Sequence, residues 1–85
     1  MEPEFSRHAL EQMGLRCISE ELVQSIVKYP DSIINQDETV MIYSKLVIEK
    51  SKAYLYRVFI NHLKRPALII TVYKTSKIEK YGDQI

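Results

Sequence analysis

Eighty-five residues, 46% of them hydrophobic and 27% charged, make a single small domain spanning residues 1–85, and that balance argues against disorder. Two glycines and three prolines leave little room for long flexible linkers. No apolar run reaches the ~18 residues of a membrane span, and the N-terminal MEPEFSRHAL is acidic before it is apolar, unlike a signal peptide. A single cysteine, Cys17, cannot form an internal disulfide, which fits a reducing, cytoplasmic setting.

The net charge of +1 hides an asymmetry. Met1 to Glu38 holds three basic residues against eight acidic ones, a balance of −5, while Thr39 to Ile85 holds nine basic against three acidic, a balance of +6. A basic C-terminal half on a nearly neutral chain points to a localised anion site more than to a broad nucleic-acid coat, although a dipolar surface without a partner gives the same count.

In chain order, FSRHALEQMGLR reads as a short helix. Ser6 can cap it, Ala9, Leu10 and Met13 share a face, and Gly14 is the expected stop. SEELVQSIVKYP reads as a second helix. Ser19 is its cap, Glu20 and Glu21 favour the positive end of the dipole, Leu22, Val23, Ile26 and Val27 form its apolar stripe, and Pro30 blocks continuation. After Pro30 the period changes. DSIINQ is a short strand candidate, Asp37-Glu38 marks a turn, and TVMIYSKLVIEK, KAYLYRVFIN and PALIITVYK are strand candidates rich in β-branched and aromatic residues. The short polar links EKSK and NHLKRP predict antiparallel neighbours. The fold class is therefore α+β, with two N-terminal helices packed on a curled antiparallel sheet of three to four strands. SKIEKY could add a closing helical turn capped by Ser76.

No Gly-rich phosphate loop, CxxC pair, HExxH or GxSxG is present, and His8 and His62 have no metal-ligand spacing, so neither a metal nor a cofactor is expected. The candidate chemistry lies with Arg, Lys, Tyr and His. Arg57 sits mid-strand, where it must either lie on an open sheet face or pair with a carboxylate. Alternation puts Tyr54, Tyr56, Val58 and Ile60 on one face and Leu55, Arg57 and Phe59 on the other, without telling which face meets the helices. Lys74, Lys77 and Lys80 follow the last strand with Tyr73 and Tyr81 between them. Lysines attract phosphate, tyrosine rings stack on bases and tyrosine hydroxyls can move protons, although a solvated chain end would look the same. His8 is the best acid–base candidate by residue type, because imidazoles titrate near neutral pH, although surface histidines are common at helix ends. Arg16, between the helices, could bind an anion or a helix carbonyl. Cys17 reads as a small apolar filler.

SRHALEQMGLRCISEELVQSIVKYPDSII, YLYRVFIN and PALIITVYKTSKIEKY together resemble an uncharacterised family of short bacterial proteins, a domain of unknown function. Its pattern is H-A-x-x-x-M, R-x-I-S, a Y-x-x-R-V-x-V/I strand and a closing I-T-V-Y-x-T-S-K-x-x-K-Y. Cys17 stands where that family commonly has Gly or a small polar residue. The helix–helix–sheet order also looks like the RelE/ParE superfamily of toxin–antitoxin toxins, the BrnT branch in particular. That resemblance implies a metal-independent ribonuclease acting on mRNA, free or ribosome-bound, and held inactive by a small cognate antitoxin. It assigns catalysis to Arg57, His8, Tyr81 and Lys74, and RNA binding to Lys77, Lys80, Tyr73 and Arg16. Two alternatives stay open: a non-enzymatic ParE-type toxin that blocks a large target, and an RNA- or protein-binding module. The acidic helices and basic sheet could also meet head to tail in a homodimer.

Overall fold

A computed structural model describes residues 2–78. Its elements in chain order are β1 (Glu4–Phe5), α1 (Arg7–Leu15), α2 (Glu20–Lys28), β2 (Ser32–Asn35), β3 (Val40–Glu49), β4 (Lys52–Asn61) and β5 (Leu68–Thr75). The sheet order is β1-β5-β4-β3-β2. The class is α+β, as expected, but the sheet has five strands and is mixed. The extra strand β1 runs parallel to β5, pairing Glu4 with Leu68 and Phe5 with Ile69, while the other three pairings are antiparallel. Two residues carry no periodicity, so β1 exists only through its partner: Glu4 N–H donates to Ala67 O at 2.8 Å and Ser6 N–H to Ile69 O at 2.9 Å.

Both helices begin at the predicted caps. The Ser6 hydroxyl accepts from Ala9 N–H at 3.0 Å, and Ser19 does the same for Leu22 N–H at 3.1 Å. The Ser6 hydroxyl also donates to Ile70 O at 2.8 Å, tying the start of α1 to β5. The end of α1 differs from expectation. Gly14 lies inside the last turn, and the left-handed residue is Cys17, at φ 54°. Ile18 N–H reaches back to Met13 O at 2.9 Å and Cys17 N–H to Gly14 O at 3.4 Å, which is the paired closure of a Schellman motif. Its usual apolar clasp is present, with Ile18 and Met13 buried in one cluster. Cys17 itself is exposed, so it is a turn residue and not a filler.

β3 and β4, ten residues each, form a hairpin closed by Lys50 and Ser51, at φ 49° and 68°, the sign that a two-residue turn of the favoured hand requires. At the Asp37 turn, Oδ1 accepts from Thr39 N–H and Val40 N–H, both at 2.8 Å. Those two bonds, Thr39 first, hold the Asp37 carboxyl below the ordinary carboxylate range.

The helices cover one face of the sheet. Ala9 and Met13 of α1, Ile18, and Val23 and Ile26 of α2 are buried against Tyr56, Val58 and Ile60 of β4 and Ile69 and Val72 of β5. The alternation therefore resolves with the tyrosine side of β4 under the helices. Arg57 lies on the other face, between Ser44 of β3 and Tyr73 of β5. No described helix is long and apolar enough to cross a membrane.

Candidate functional site

β1 covers only Leu68 and Ile69, so the rest of β5 is a sheet edge, and α1 packs along it. This placement brings residues from opposite ends of the chain to one groove on the open face. His8 and Gln12 of α1, Arg57 and Phe59 of β4, and Thr71 and Tyr73 of β5 line a shallow depression of about 500 Å³. The Arg57 guanidinium stands 5.5 Å from the Phe59 ring centroid, and that of Arg16 stands 5.5 Å from the Tyr73 ring. Arg16 Nη1 also donates to Lys74 O at 3.0 Å, pinning the α1–α2 turn to β5. Three predicted residues, Arg57, His8 and Tyr73, thus line one groove, and a fourth, Arg16, stands over the Tyr73 ring.

Lys74 does not join them. Alternation sends it to the helix-bearing face, paired with Tyr56 in the ladder. Its Nζ lies 2.7 Å from Glu49 Oε1 and over the Tyr54 and Tyr56 rings, 4.4 and 5.5 Å from their centroids. Glu49 Oε2 accepts the Tyr56 hydroxyl at 2.5 Å. The Lys74 ammonium, then the Tyr56 hydroxyl, hold the Glu49 carboxyl below its usual range. Glu49 in turn raises Lys74, while Tyr56 is raised by burial first and by donating to Glu49 second. Lys77 is exposed just past β5, where its N–H donates to Thr75 Oγ1 at 3.0 Å. Lys80, Tyr81 and the closing turn predicted for SKIEKY beyond Ile78 lie outside the described residues.

The sequence reading missed Gln12, Phe59 and Thr71 in the groove, and Glu49 and Tyr56 on the opposite face. One signal was available: strand alternation alone separates Tyr73 from Lys74. Gln12 had a signal too, since it follows His8 at i+4 on one helix face. Nothing local marks Glu49, which reaches Tyr56 only through the hairpin register. Among the described residues, no group of three or more His, Cys, Asp or Glu side chains could hold a metal ion.

The fold and the groove define a small α+β domain that presents cationic and aromatic side chains on the face of its sheet opposite the helices, where Ile42, Ser44, Leu55 and Thr75 are themselves buried. The family model for a domain of unknown function, DUF4258, matches residues 5–74, and the chain belongs to that family. The matched span runs from Phe5 in β1 to Lys74 in β5, so it takes in every element that builds the groove. Comparison with curated proteins and with solved structures finds no match.

Proposed function

We propose that the chain is the toxin of a type II toxin–antitoxin pair and cleaves RNA at the groove on the open sheet face. The observation that carries this reading is the convergence of Arg57, His8 and Tyr73, from β4, α1 and β5, on one accessible depression, with Arg16 of the α1–α2 turn held over the Tyr73 ring. The helix–helix–sheet order, which resembles that of RelE/ParE toxins, supports it. In this reading the RNA 2′-oxygen attacks the adjacent phosphorus, the 5′-oxygen leaves, and a cyclic phosphate forms. Arg57 neutralises the charge that develops on the phosphorane, an effect of preorganised charge worth about 10²–10³-fold in rate. His8 takes or supplies a proton, worth about 10²–10⁴-fold, with Tyr81 as the second proton-transfer group. Tyr73 offers its ring to a base, and Arg16, held against that ring, turns its remaining donors to a flanking phosphate. Lys77, exposed just past β5, and Lys80 would add charge for flanking phosphates. Lys74 enters this scheme as the residue that anchors β5, since its ammonium is engaged with Glu49. A small antitoxin covering the groove with an acidic segment would silence it.

The test is induced expression in bacteria, wild type beside Arg57→Ala and His8→Gln, with growth and RNA integrity followed together and folding of each variant checked by circular dichroism. Growth arrest with RNA cleavage, both lost in Arg57→Ala and weakened in His8→Gln, is the expected result. Arrest with intact RNA would replace the ribonuclease by a toxin that blocks its target. Normal growth with salt-sensitive RNA binding would replace it by a binding module. Full cleavage by a folded Arg57→Ala protein overturns the site.

A further inference from the structure

A second cluster lies on the other side of the sheet, at the hairpin end. Glu49, Lys50, Lys52, Tyr54 and Lys74 line a depression of about 670 Å³. Lys50 enters it from the turn, where it and Ser51 hold left-handed backbone. Lys52 follows on the same face as Tyr54, and its ammonium lies 5.5 Å from that ring. Lys74 approaches the same ring to 4.4 Å from β5. The hairpin turn and two strands, β4 and β5, therefore deliver ammonium groups to one place.

Their charge is not balanced. The carboxylate of Glu49 is already divided between Lys74 on Oε1 and the Tyr56 hydroxyl on Oε2. Among the described residues, no carboxylate lies within ion-pair distance of Lys50 or Lys52. Three ammonium groups against one carboxylate leave, among the described residues, a surplus of two positive charges in a depression lined by one aromatic residue. Lys52 and Lys74, gathered at one ring, repel each other, and an anion between them would turn that repulsion into attraction. A phosphate group suits the geometry better than a carboxylate, because it offers more acceptor oxygens to ammonium donors arriving from several directions.

We infer that the hairpin end of the helix-bearing face is a phosphate-binding site, formed by Lys50, Lys52 and Lys74 around Tyr54. It is distinct from the Arg57 groove, which opens on the opposite face, and it does not depend on the ribonuclease reading. Two sources share this chemistry: the backbone of a single-stranded RNA, whose sugar or base would lie on Tyr54, and a free phosphate or nucleotide.

Two measurements on the full chain test it. The first follows backbone amide resonances while inorganic phosphate replaces chloride at constant ionic strength. Saturable shifts at Lys50, Lys52 and Tyr54 at millimolar phosphate, abolished in Lys50→Gln/Lys52→Gln, are expected. The second measures fluorescence anisotropy of an uncleavable 2′-O-methyl RNA with wild type, Lys50→Gln/Lys52→Gln and Arg57→Ala. If RNA is the source, the double variant binds about 5- to 10-fold more weakly, and the slope of log affinity against log salt falls by about one, in the Arg57→Ala background as well. Phosphate shifts with unchanged RNA affinity support the site and assign it to a free phosphate or nucleotide. Absence of saturable shifts together with unchanged RNA affinity overturns it. Failure of the ribonuclease reading would show separately, as intact RNA in the expression assay, and would alter neither result here.

Discussion

The two faces of this sheet treat the same residue types in opposite ways. On the helix-bearing face, Lys74 is held between a carboxylate and two tyrosine rings. On the open face, Arg57 stands beside Phe59 and Tyr73 in a groove that also reaches His8. Neighbours in β5, Tyr73 and Lys74, look to opposite sides, so a one-residue step along a strand sends them to different depressions, Tyr73 to the Arg57 groove and Lys74 to the one at the hairpin end. Closeness in sequence within a basic, aromatic segment is therefore a poor guide to shared function.

The largest expected effects come from exchanging these roles. Arg57→Ala should lower RNA cleavage by about 10²–10³-fold, and any loss of stability from truncating a side chain whose Nε is buried is read separately. Lys74→Ala should leave cleavage within about 3-fold and destabilise the fold by about 1 kcal/mol, a modest figure because both partners of the Glu49 ion pair are partly solvated. Single-turnover cleavage and urea unfolding on the same preparations measure both. If Lys74→Ala abolishes cleavage while keeping its unfolding midpoint, the division between the faces is wrong.

Packing gives a second contrast. Ile60 is buried in the cluster under the helices, and Ile60→Ala should cost about 3 kcal/mol, its lost transfer energy plus that of the cavity. Leu46, on the open face opposite Leu55 and 39% exposed, should cost under about 1 kcal/mol as Leu46→Ala. Equal losses in chemical denaturation would mean that Leu46 is as closely packed as Ile60.

Much of this layout could be read before the fold was seen, and the reasons are local. Ser6 and Ser19 announce their helices because a cap is a short-range bond, and β2 to β5 carry the β-branched and aromatic runs that a pleated surface favours. What escaped was set by distant partners. Glu4–Phe5 becomes a strand only because residues 67–69 lie beside it. The end of α1 was assigned to Gly14, the residue best suited to a left-handed position, yet the chain places Cys17 there because Ile18 must reach Met13 in the core. For the groove, alternation gave the relation of Arg57 to the two tyrosines of β4, but which face stayed open depended on where the helices packed.

Acid and base should disturb the two faces unequally. Glu49 is depressed by Lys74 and Tyr56, so its contribution to stability is complete above its ordinary value of 4.5 and is lost as pH falls through the lower folded value. Lys74 and Tyr56 are raised, so theirs is complete below about 10 and is lost as pH climbs through their higher folded values. Glu49→Gln should flatten both limbs of a stability-against-pH curve and cost about 1 kcal/mol near neutrality. Part of the acid limb should survive, because Asp37, depressed by its own turn, still titrates. A variant whose curve matches wild type at both extremes would show that the Glu49–Tyr56–Lys74 cluster carries no net stability.

The smallest effect concerns the turn that serves both faces at once. Cys17 separates Arg16, which leans over Tyr73, from Ile18, which enters the core. A non-glycine residue in left-handed backbone costs about 1–2 kcal/mol, and glycine returns part of that gain through its freer unfolded chain. Cys17→Gly should therefore stabilise by about 0.5–1 kcal/mol, raising the melting temperature by roughly 2–8 °C for a domain of this size. Gly14→Ala should gain a similar amount for a different reason, since a methyl there meets nothing within 4 Å and the helix interior prefers alanine. The two variants differ in what they do to Arg16. Gly14→Ala stiffens the helix and leaves the turn as it is, so cleavage should be unchanged. Cys17→Gly loosens the backbone next to Arg16. If that turn only connects the helices, cleavage is again unchanged. If it also positions Arg16 over Tyr73, Cys17→Gly gives a more stable protein with a raised KM and an unaltered kcat, and the turn belongs to the open-face site as much as to the core.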